Sequence, residues 1–574
     1  MNDDAVGFEP DHVAMHRPNC KSPAIRRGLW FLRAALIVPS ILALPAQAQI
    51  IPDATLPTPS IVTELDPQTY QIEGGTIAGS NLFHSFGTFN QSGALSGSTI
   101  RFEPEATIAN IFARVTGGSG TTIDGRLQTT GSANLYLIDP QGIQFGANAA
   151  LDLGGALIAT SADRVQFADG TEWLGRGETT PNASMLTIST PVGLQFDARA
   201  MTDSAAALSE PIGTLRVSGT GHSQRFFTPD SAESIAILDA ITANDPTINR
   251  DLLLRLGATI DIVGETDGIT AQTPQPIALV GRNIVLKGGQ IETPGSAVEL
   301  VAIESGTLTL AATPANPLGI LSGTLGDPIL GDLTFGNITL SDAAAINTSG
   351  TGDYLGGGLN REIHREAGSG TVYLRGNDLV LDDGSVIFAR PLGGGVGGQI
   401  SLEASGEIRF QGISPIDGQG SGIIGGTLGS GRGSDIALNA DNVMIRDGGF
   451  LSSTTFASGS GGNTTITAHN QFEIVGTNGA ESLSVIFSDS AGVGTAGQIA
   501  IDADRVRVAD GAQLTARSQQ SGTGGTIHIH ATDRIELAGV ANRGGAPFIA
   551  NTSRDTFPSG PVSYTHLRAH ETHH

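Results

Sequence analysis

The fold that this 574-residue sequence predicts is all-β, a right-handed parallel β-helix (a β-solenoid) with an N-terminal cap. Three observations predict it. A short alternating strand ending on a small residue recurs at regular intervals through the second half. An Asp-Gly pair follows that strand at a constant offset in alternate copies. The chain also holds 79 glycines and only 5% aromatic residues, which suits thin layers of small and branched side chains. Single compact cores stop growing at roughly 250–300 residues, so a chain of this length divides into domains or grows along one dimension. Charged residues make up 15% and mean hydropathy is +0.04, too apolar for disorder.

Net charge is -25 and the only lysines are Lys21 and Lys287, which argues against nucleic acid, whose phosphates call for clustered cations. Cys20 is the one cysteine, so a disulfide framework is excluded and packing must supply the stability.

A leader comes first. Arg26, Arg27 and Arg33 precede the apolar run from Ala34 to Leu44, and Ala46-Gln47-Ala48 follows. A basic start, an apolar stretch of about 7–15 residues and an Ala-x-Ala site read as a secretory signal peptide over residues 1–48. Cleavage after Ala48 leaves Gln49 as the first mature residue. The run is shorter than the roughly 20 apolar residues of a membrane span. Asp3, Asp4, Glu9 and Asp11 sit oddly in a basic start, while residues 15–48 hold no acid, so Met15 is an alternative start.

Residues 72–200 carry a dense set of motifs: Asn81-Leu82-Phe83-His84-Ser85-Phe86, Asn110-Ile111-Phe112-Ala113-Arg114-Val115, and Asn134-Leu135-Tyr136-Leu137-Ile138-Asp139-Pro140-Gln141-Gly142-Ile143-Gln144-Phe145. Gly154-Gly155-Ala156-Leu157-Ile158-Ala159-Thr160 and Pro191-Val192-Gly193-Leu194-Gln195-Phe196 complete it. Leu135, Leu137, Ile143 and Phe145 alternate on either side of Asp139-Pro140-Gln141-Gly142. Pro fixes φ at one turn position and Gly relieves another, so this is a tight hairpin or a coil corner. Asn110 and Asn134 fit a ladder that caps backbone groups, or a recognition feature. Phe83, Phe86 and Phe89 are expected to cover the open end of the helix, since an uncovered end is a row of unpaired strand groups.

In these motifs the chain resembles the filamentous-haemagglutinin N-terminal family, the secretion domain of two-partner systems, and its cyanobacterial branch in particular. The resemblance is close over roughly residues 50–200 and general in the later coils. It implies a capped β-helix, export through the periplasm and outer membrane of a Gram-negative-type bacterium, and recognition by a cognate outer-membrane translocator. The family's two signature boxes usually read Asn-x-Asn-Leu and Asn-Pro-Asn-Gly. Asn134, Leu135, Pro140 and Gly142 carry over, whereas Ser132, Asp139 and Gln141 depart from the pattern. The candidate recognition residues are therefore Asn110, Asn134, Leu135, Asp139, Pro140, Gln141, Gly142 and Ile143. The resulting division is a signal peptide over 1–48, a secretion-domain core over 49–200, continuing repeats over 201–560, and a tail.

The repeat is countable. Gly-x-I-x-I-x-A ends at Gly376, Ala404, Ala440, Ala468, Ala503 and Ala531, with spacings of 28, 36, 28, 35 and 28. Two unit types alternate to give a super-repeat of 64 and then 63 residues. Asp383-Gly384, Asp447-Gly448 and Asp510-Gly511 follow in one unit type, as turns in which Gly accepts positive φ. Weaker copies run Gly281, Ile284, Leu286, Gly289 and Gly336, Leu340, Ala344. Inward positions such as Ile499, Ile501, Val506 and Val508 would form apolar ladders. Paired β-sandwiches also alternate but lack such a period. At about 4.8 Å per strand, roughly 20 coils would make a stack on the order of 95 Å long.

Candidate chemistry is sparse. His528 and His530 point outward together with no third ligand nearby, so no metal and no cofactor are predicted. The glycine stretches 393–398 and 459–462 lack the aspartates of a calcium β-roll and read as loops leaving the coil. Asp383, Asp447 and Asp510 fall at matched positions, the pattern a polysaccharide lyase or esterase would need, yet each lies where Asp is common for backbone reasons. No catalytic residues are predicted. The expected function is a secreted, adhesin-like surface protein that meets surface glycans or other cells; a stalk for a distal effector, or a β-helix lyase, is the alternative. Residues 561–574 resemble a translated sequencing-adapter read-through and are expected to be non-native.

Overall fold

The computed structural model describes residues 49–176, 186–198, 211–226, 239, 259–263, 268–271, 274–310, 333–350, 368–391, 393–476, 483–539, 548–550 and 567–569. Almost every regular element among them is a strand. Each coil runs through three strands, one on each of three faces. Asn110–Val115, Thr121–Ile123 and Arg126–Thr129 make one coil, and Asn134–Ile138, Gly142–Phe145 and Ala150–Asp152 make the next. Successive coils stack in parallel and in register: Ile111 lies beside Leu135, Leu135 beside Leu157, and Leu157 beside Ile277. The same ladder runs on through Val298, Val372, Ile400, Ile436, Thr464, Ile499 and Ile527. All but Thr464 are apolar and all are buried. Every fully buried aliphatic side chain here stabilises the fold by roughly 1.5–3 kcal/mol, and none could be buried by its own coil alone.

Residues that end successive copies of the sequence motif pair with one another. Gly376 pairs with Ala404, Ala440 with Ala468, Ala468 with Ala503, and Ala503 with Ala531. The weaker copies align too, with Ile284 beside Ile338 and Leu286 beside Leu340. The extra residues of the longer coils fall at the corner between the second and third faces. There the short coils turn on Asp383-Gly384, Asp447-Gly448 and Asp510-Gly511. In these pairs the Asp as well as the Gly is left-handed, with Asp φ of 52°, 50° and 52°.

The stack is shorter than the length alone suggested. Among the described residues, twelve parallel pairings join thirteen rungs of the first face, a span of about 58 Å at 4.8 Å per step. The last described rung is Leu567–Ala569, paired with Ile529–Ala531. One described departure from the coil contributes to the difference. Between Thr160 and Ile277 the chain leaves the first face, builds the strands Arg164–Phe167, Glu172–Leu174 and Pro191–Phe196, and then returns to the second face at Thr214–Ser218. These strands pair antiparallel, joined by the far half of Val298–Thr309. They cover the outer side of the early first-face rungs and bury a second core of Phe83, Phe112, Tyr136, Phe167, Trp173 and Phe196, among others.

The N-terminal cap consists of three antiparallel strands, one per face. Gln49–Pro52 pairs with the segment from Asn90 back to Phe86, Ser60–Asp66 with Thr69–Gly74, and Thr76–Ala78 with the segment from Phe83 back to Asn81. An antiparallel strand completes the hydrogen bonds of the first rung without starting another coil. The expectation that Phe83, Phe86 and Phe89 close the end is therefore corrected. Phe86 and Phe89 fill the coil interior, while Phe83 faces outward under the antiparallel layer.

The glycine stretches do not leave the coil either. A Cβ on Gly431 would lie 1.8 Å from the Gly395 carbonyl oxygen, one on Gly459 1.9 Å from that of Gly431, and one on Gly494 1.8 Å from that of Gly459. Backbone stacks directly on backbone at the corner between the third and first faces, and only glycine permits that approach.

Candidate functional site

The candidate residues gather on the first rungs, where the triplets Asn81-Leu82-Phe83, Asn110-Ile111-Phe112 and Asn134-Leu135-Tyr136 stack in register. The aliphatic residue of each triplet points into the coil. The aromatic residue points out and stacks: Phe83 on Phe112 at 5.1 Å between centroids, and Phe112 on Tyr136 at 4.6 Å. The asparagines form a continuous side-chain ladder. Asn81 Nδ2 donates to the carbonyls of Thr187 (3.0 Å) and Ser189 (2.9 Å). Asn110 Nδ2 donates to Asn81 Oδ1 at 3.1 Å, and Asn134 Nδ2 to Asn110 Oδ1 at 3.2 Å. Asn134 Oδ1 accepts the Ala156 N–H at 3.0 Å. Asn81 was missed as a site residue by reading motifs singly; the signal was the recurrence of Asn-aliphatic-aromatic at spacings of 29 and 24.

Asp139-Pro140-Gln141-Gly142 is a coil corner, not a hairpin, joining the first face to the second. The Gly142 N–H donates to the Asp139 carbonyl at 3.0 Å, closing a four-residue turn. The Asp139 carboxylate is fully buried; it accepts the Gln141 N–H (2.9 Å) and the Thr121 hydroxyl (2.7 Å). Burial pushes its pKa up to about 7, against the opposing pull of those two hydrogen bonds and of Arg176. Gly142 has φ +124° and would place a Cβ 2.6 Å from the Thr214 carbonyl oxygen, so this position is restricted to glycine. Leu135 and Ile143 belong to the coil core. Of the signature residues at this corner, Gln141 is the accessible one. It lines a shallow cleft of about 300 Å³ on the outside of the second face with Thr122, Gly142, Gln144, Thr214 and Arg216.

Buried arginines lock the surroundings. Arg114 donates to Ser85 Oγ (2.9 Å), Thr55 Oγ1 (2.9 Å) and the Leu174 carbonyl (2.7 Å), and its guanidinium lies 4.7 Å from the Trp173 ring centroid. It thereby ties the cap, the first coils and the antiparallel layer together. Asp53 joins this network: burial raises its pKa, but hydrogen bonds from Thr55, Thr116 and Ser85 together hold the carboxyl below its ordinary value. Arg282 contacts Asp163 at 2.7 Å beneath the same layer.

The other candidates lie elsewhere. Ala46 and Ala48 fall outside the described residues, and Gln49 opens the first cap strand. Asp383, Asp447 and Asp510 occupy every second coil, with a longer corner such as 411–421 between them, and so they do not converge. His528 and His530 point outward as expected, and His530 Nδ1 lies 2.6 Å from Asp502 Oδ1. Among the described residues no three His, Cys, Asp or Glu side chains gather as a metal site.

A family model described as the TPS secretion domain matches residues 48–354. Among solved structures, the HMW1 secretion domain from Haemophilus influenzae aligns at 13% identity and a TM-score of 0.47, covering 87% of this chain and 100% of its own. The filamentous hemagglutinin secretion domain aligns at 11% identity and a TM-score of 0.27, covering 87% of this chain and 99% of its own. No curated protein matches.

Proposed function

Because this chain belongs to the TPS secretion domain family, we propose that it is an adhesin-like surface protein of two-partner secretion whose role is binding, not catalysis. Export and an outer-membrane translocator partner follow from the family itself. The signature residues act on the translocator through the fold they impose. Asn110, Asn134, Leu135, Asp139, Pro140, Gly142 and Ile143 fix the first coils, and Gln141 is presented beside the cleft. Cleavage at Ala48 frees Gln49 to enter the cap.

The observation that carries the binding role is the register of the later coils. From Gly376 to Ala531 equivalent positions recur at each rung, so the rod presents similar outward surface several times. Linked weak sites gain avidity by about 10²–10⁴ with no new contact type. Glycans or other cells are the proposed ligands. The test compares a producing strain with a deletion strain in surface-attachment and cell-aggregation assays, and a loss of both on deletion is expected. No difference there, together with polysaccharide cleavage abolished by Asp447→Ala and Asp510→Ala, overturns it in favour of an enzyme. Deleting residues 70–200 should abolish secretion, and undiminished secretion would refute the export assignment.

A further inference from the structure

Large apolar side chains exposed at the surface concentrate in the cap. Of nine such residues among the described ones, Ile51, Ile61, Leu65 and Ile77 lie on its three short strands. Ser60–Asp66 holds two of them, with Ile61 53% and Leu65 49% exposed. One edge of this strand pairs with Thr69–Gly74, and among the described residues the other edge pairs with nothing.

The hydrogen-bond phase shows which groups are left open. Gly75 N–H donates to the Pro59 carbonyl at 3.0 Å, and Ser60 lies opposite Gly74. In an antiparallel ladder this makes Ile61–Glu73 and Thr63–Gln71 the hydrogen-bonded pairs. The N–H and C=O groups of Val62 and Glu64 therefore face the open edge. Ile61, Thr63 and Leu65 lie on the outer side of the strand, while Val62 packs against the coil core.

Natural edge strands are commonly guarded by charge or by a bulge; this one carries Glu64 and Asp66 with a bulge between them and no lysine, so its guard is wholly acidic. Residues 49–105 hold Asp53, Glu64, Asp66, Glu73, Glu103 and Glu105 against the single cation Arg101, which already lies 3.4 Å from Glu103. Acidic charge with exposed Ile and Leu disfavours a second copy of this chain, whose edge would bring the same charges. It favours a cationic strand.

We propose that the open edge of Ser60–Asp66 docks one extended strand of a partner protein, with apolar and cationic residues alternating, by β-strand addition. The partner's backbone satisfies Val62 and Glu64, its apolar side chains cover Ile61 and Leu65, and its cations meet Glu64 and Asp66. This surface is separate from the Asp139–Gly142 corner and goes beyond the recognition assigned to it.

The test uses the full mature chain and two nine-residue peptides, one alternating valine with lysine and the other valine with glutamate. Fluorescence anisotropy should show the lysine peptide binding at least tenfold more tightly. Hydrogen exchange should show it slowing the Val62 and Glu64 amides. Glu64→Pro removes an open-edge N–H at a position where proline is tolerated, and should weaken binding at least tenfold with Trp173 fluorescence unchanged. Glu64→Gln keeps the N–H and should weaken it less. If Glu64→Pro perturbs the cap, the wild-type exchange pattern decides. Equal binding of both peptides, binding without protection at Val62 and Glu64, or self-association through this edge would each overturn the proposal.

Discussion

Replacing Asn110 by alanine cuts the asparagine ladder at its middle rung. Two side-chain hydrogen bonds go, the 3.1 Å bond to Asn81 Oδ1 and the 3.2 Å bond from Asn134 Nδ2. Each neutral bond contributes about 0.5–1.5 kcal/mol net, and a buried group left unsatisfied costs about 1–3 kcal/mol. Asn81 is 1% exposed, so its Oδ1 pays most of that penalty, whereas the half-buried Asn134 can turn to water. The expected loss is therefore about 2–3 kcal/mol, a rise of roughly 30- to 150-fold in the local opening equilibrium. A reporter is built in. The sequence holds two tryptophans, Trp30 and Trp173, and Trp173 packs 5.2 Å from Phe83 and 6.2 Å from Phe112. Urea unfolding followed by Trp173 emission, with hydrogen exchange of the first rungs, measures the loss. Asn470, whose Nδ2 donates to Asn442 Oδ1 at 3.0 Å on an exposed ladder, supplies the control, and Asn470→Ala should cost no more than about 0.5 kcal/mol. A loss below that for Asn110→Ala, or equal losses for both, would refute the reasoning.

Three further outcomes are expected. Gly462→Ala places a Cβ 1.9 Å from the Ser434 carbonyl oxygen and should destabilise the stack by about 3 kcal/mol or more, seen as a lower melting temperature. His84 is buried with its pKa lowered by desolvation from 6.5 to about 4; the unfolded chain binds more protons between these values. Cap stability should thus be full above about pH 6.5 and fall by about 3 kcal/mol as pH drops to 4, a slope that His84→Gln removes in pH-dependent exchange of the cap amides. Asp139 has the opposite sign. With a folded pKa of about 7, its contribution is complete below the unfolded value and is lost as pH rises towards 7, so Asp139→Asn should stabilise the early coils at pH 8 and change little at pH 4.

Much of this architecture was legible because parallel stacking writes itself into spacing. Ala440, Ala468, Ala503 and Ala531 had to be equivalent once the alternating strands before them shared a register. The family was legible for a similar reason: the motifs at Asn134–Leu135 and Pro140–Gly142 lie in the segment that the family model matches. What alternation could not show is what covers an outward side chain. Phe83 and Phe86 differ only in parity, and the layer over Phe83 comes from strands more than eighty residues away. The coil count was overestimated because the antiparallel strands after Thr160 look, in composition, like further coils. The glycines at 431, 459 and 494 were misjudged because close backbone stacking leaves no periodic apolar signal. It shows only as an absence of side chains.

The alternation of short and long corners sets a rule for how such a rod changes length. At the tight Asp383-Gly384 corner a Cβ on Gly384 would lie 2.3 Å from Ser414, so the longer corner of the next coil rests directly on the bare backbone beneath it. That corner reaches past its immediate neighbour, since a Cβ on Gly221 would lie 2.7 Å from Ile416 Cδ1 and 2.8 Å from the Asp342 carbonyl oxygen. Over residues 376–531 the pair of coils, 63 or 64 residues, is thus the unit that can be duplicated or deleted with its corners still alternating.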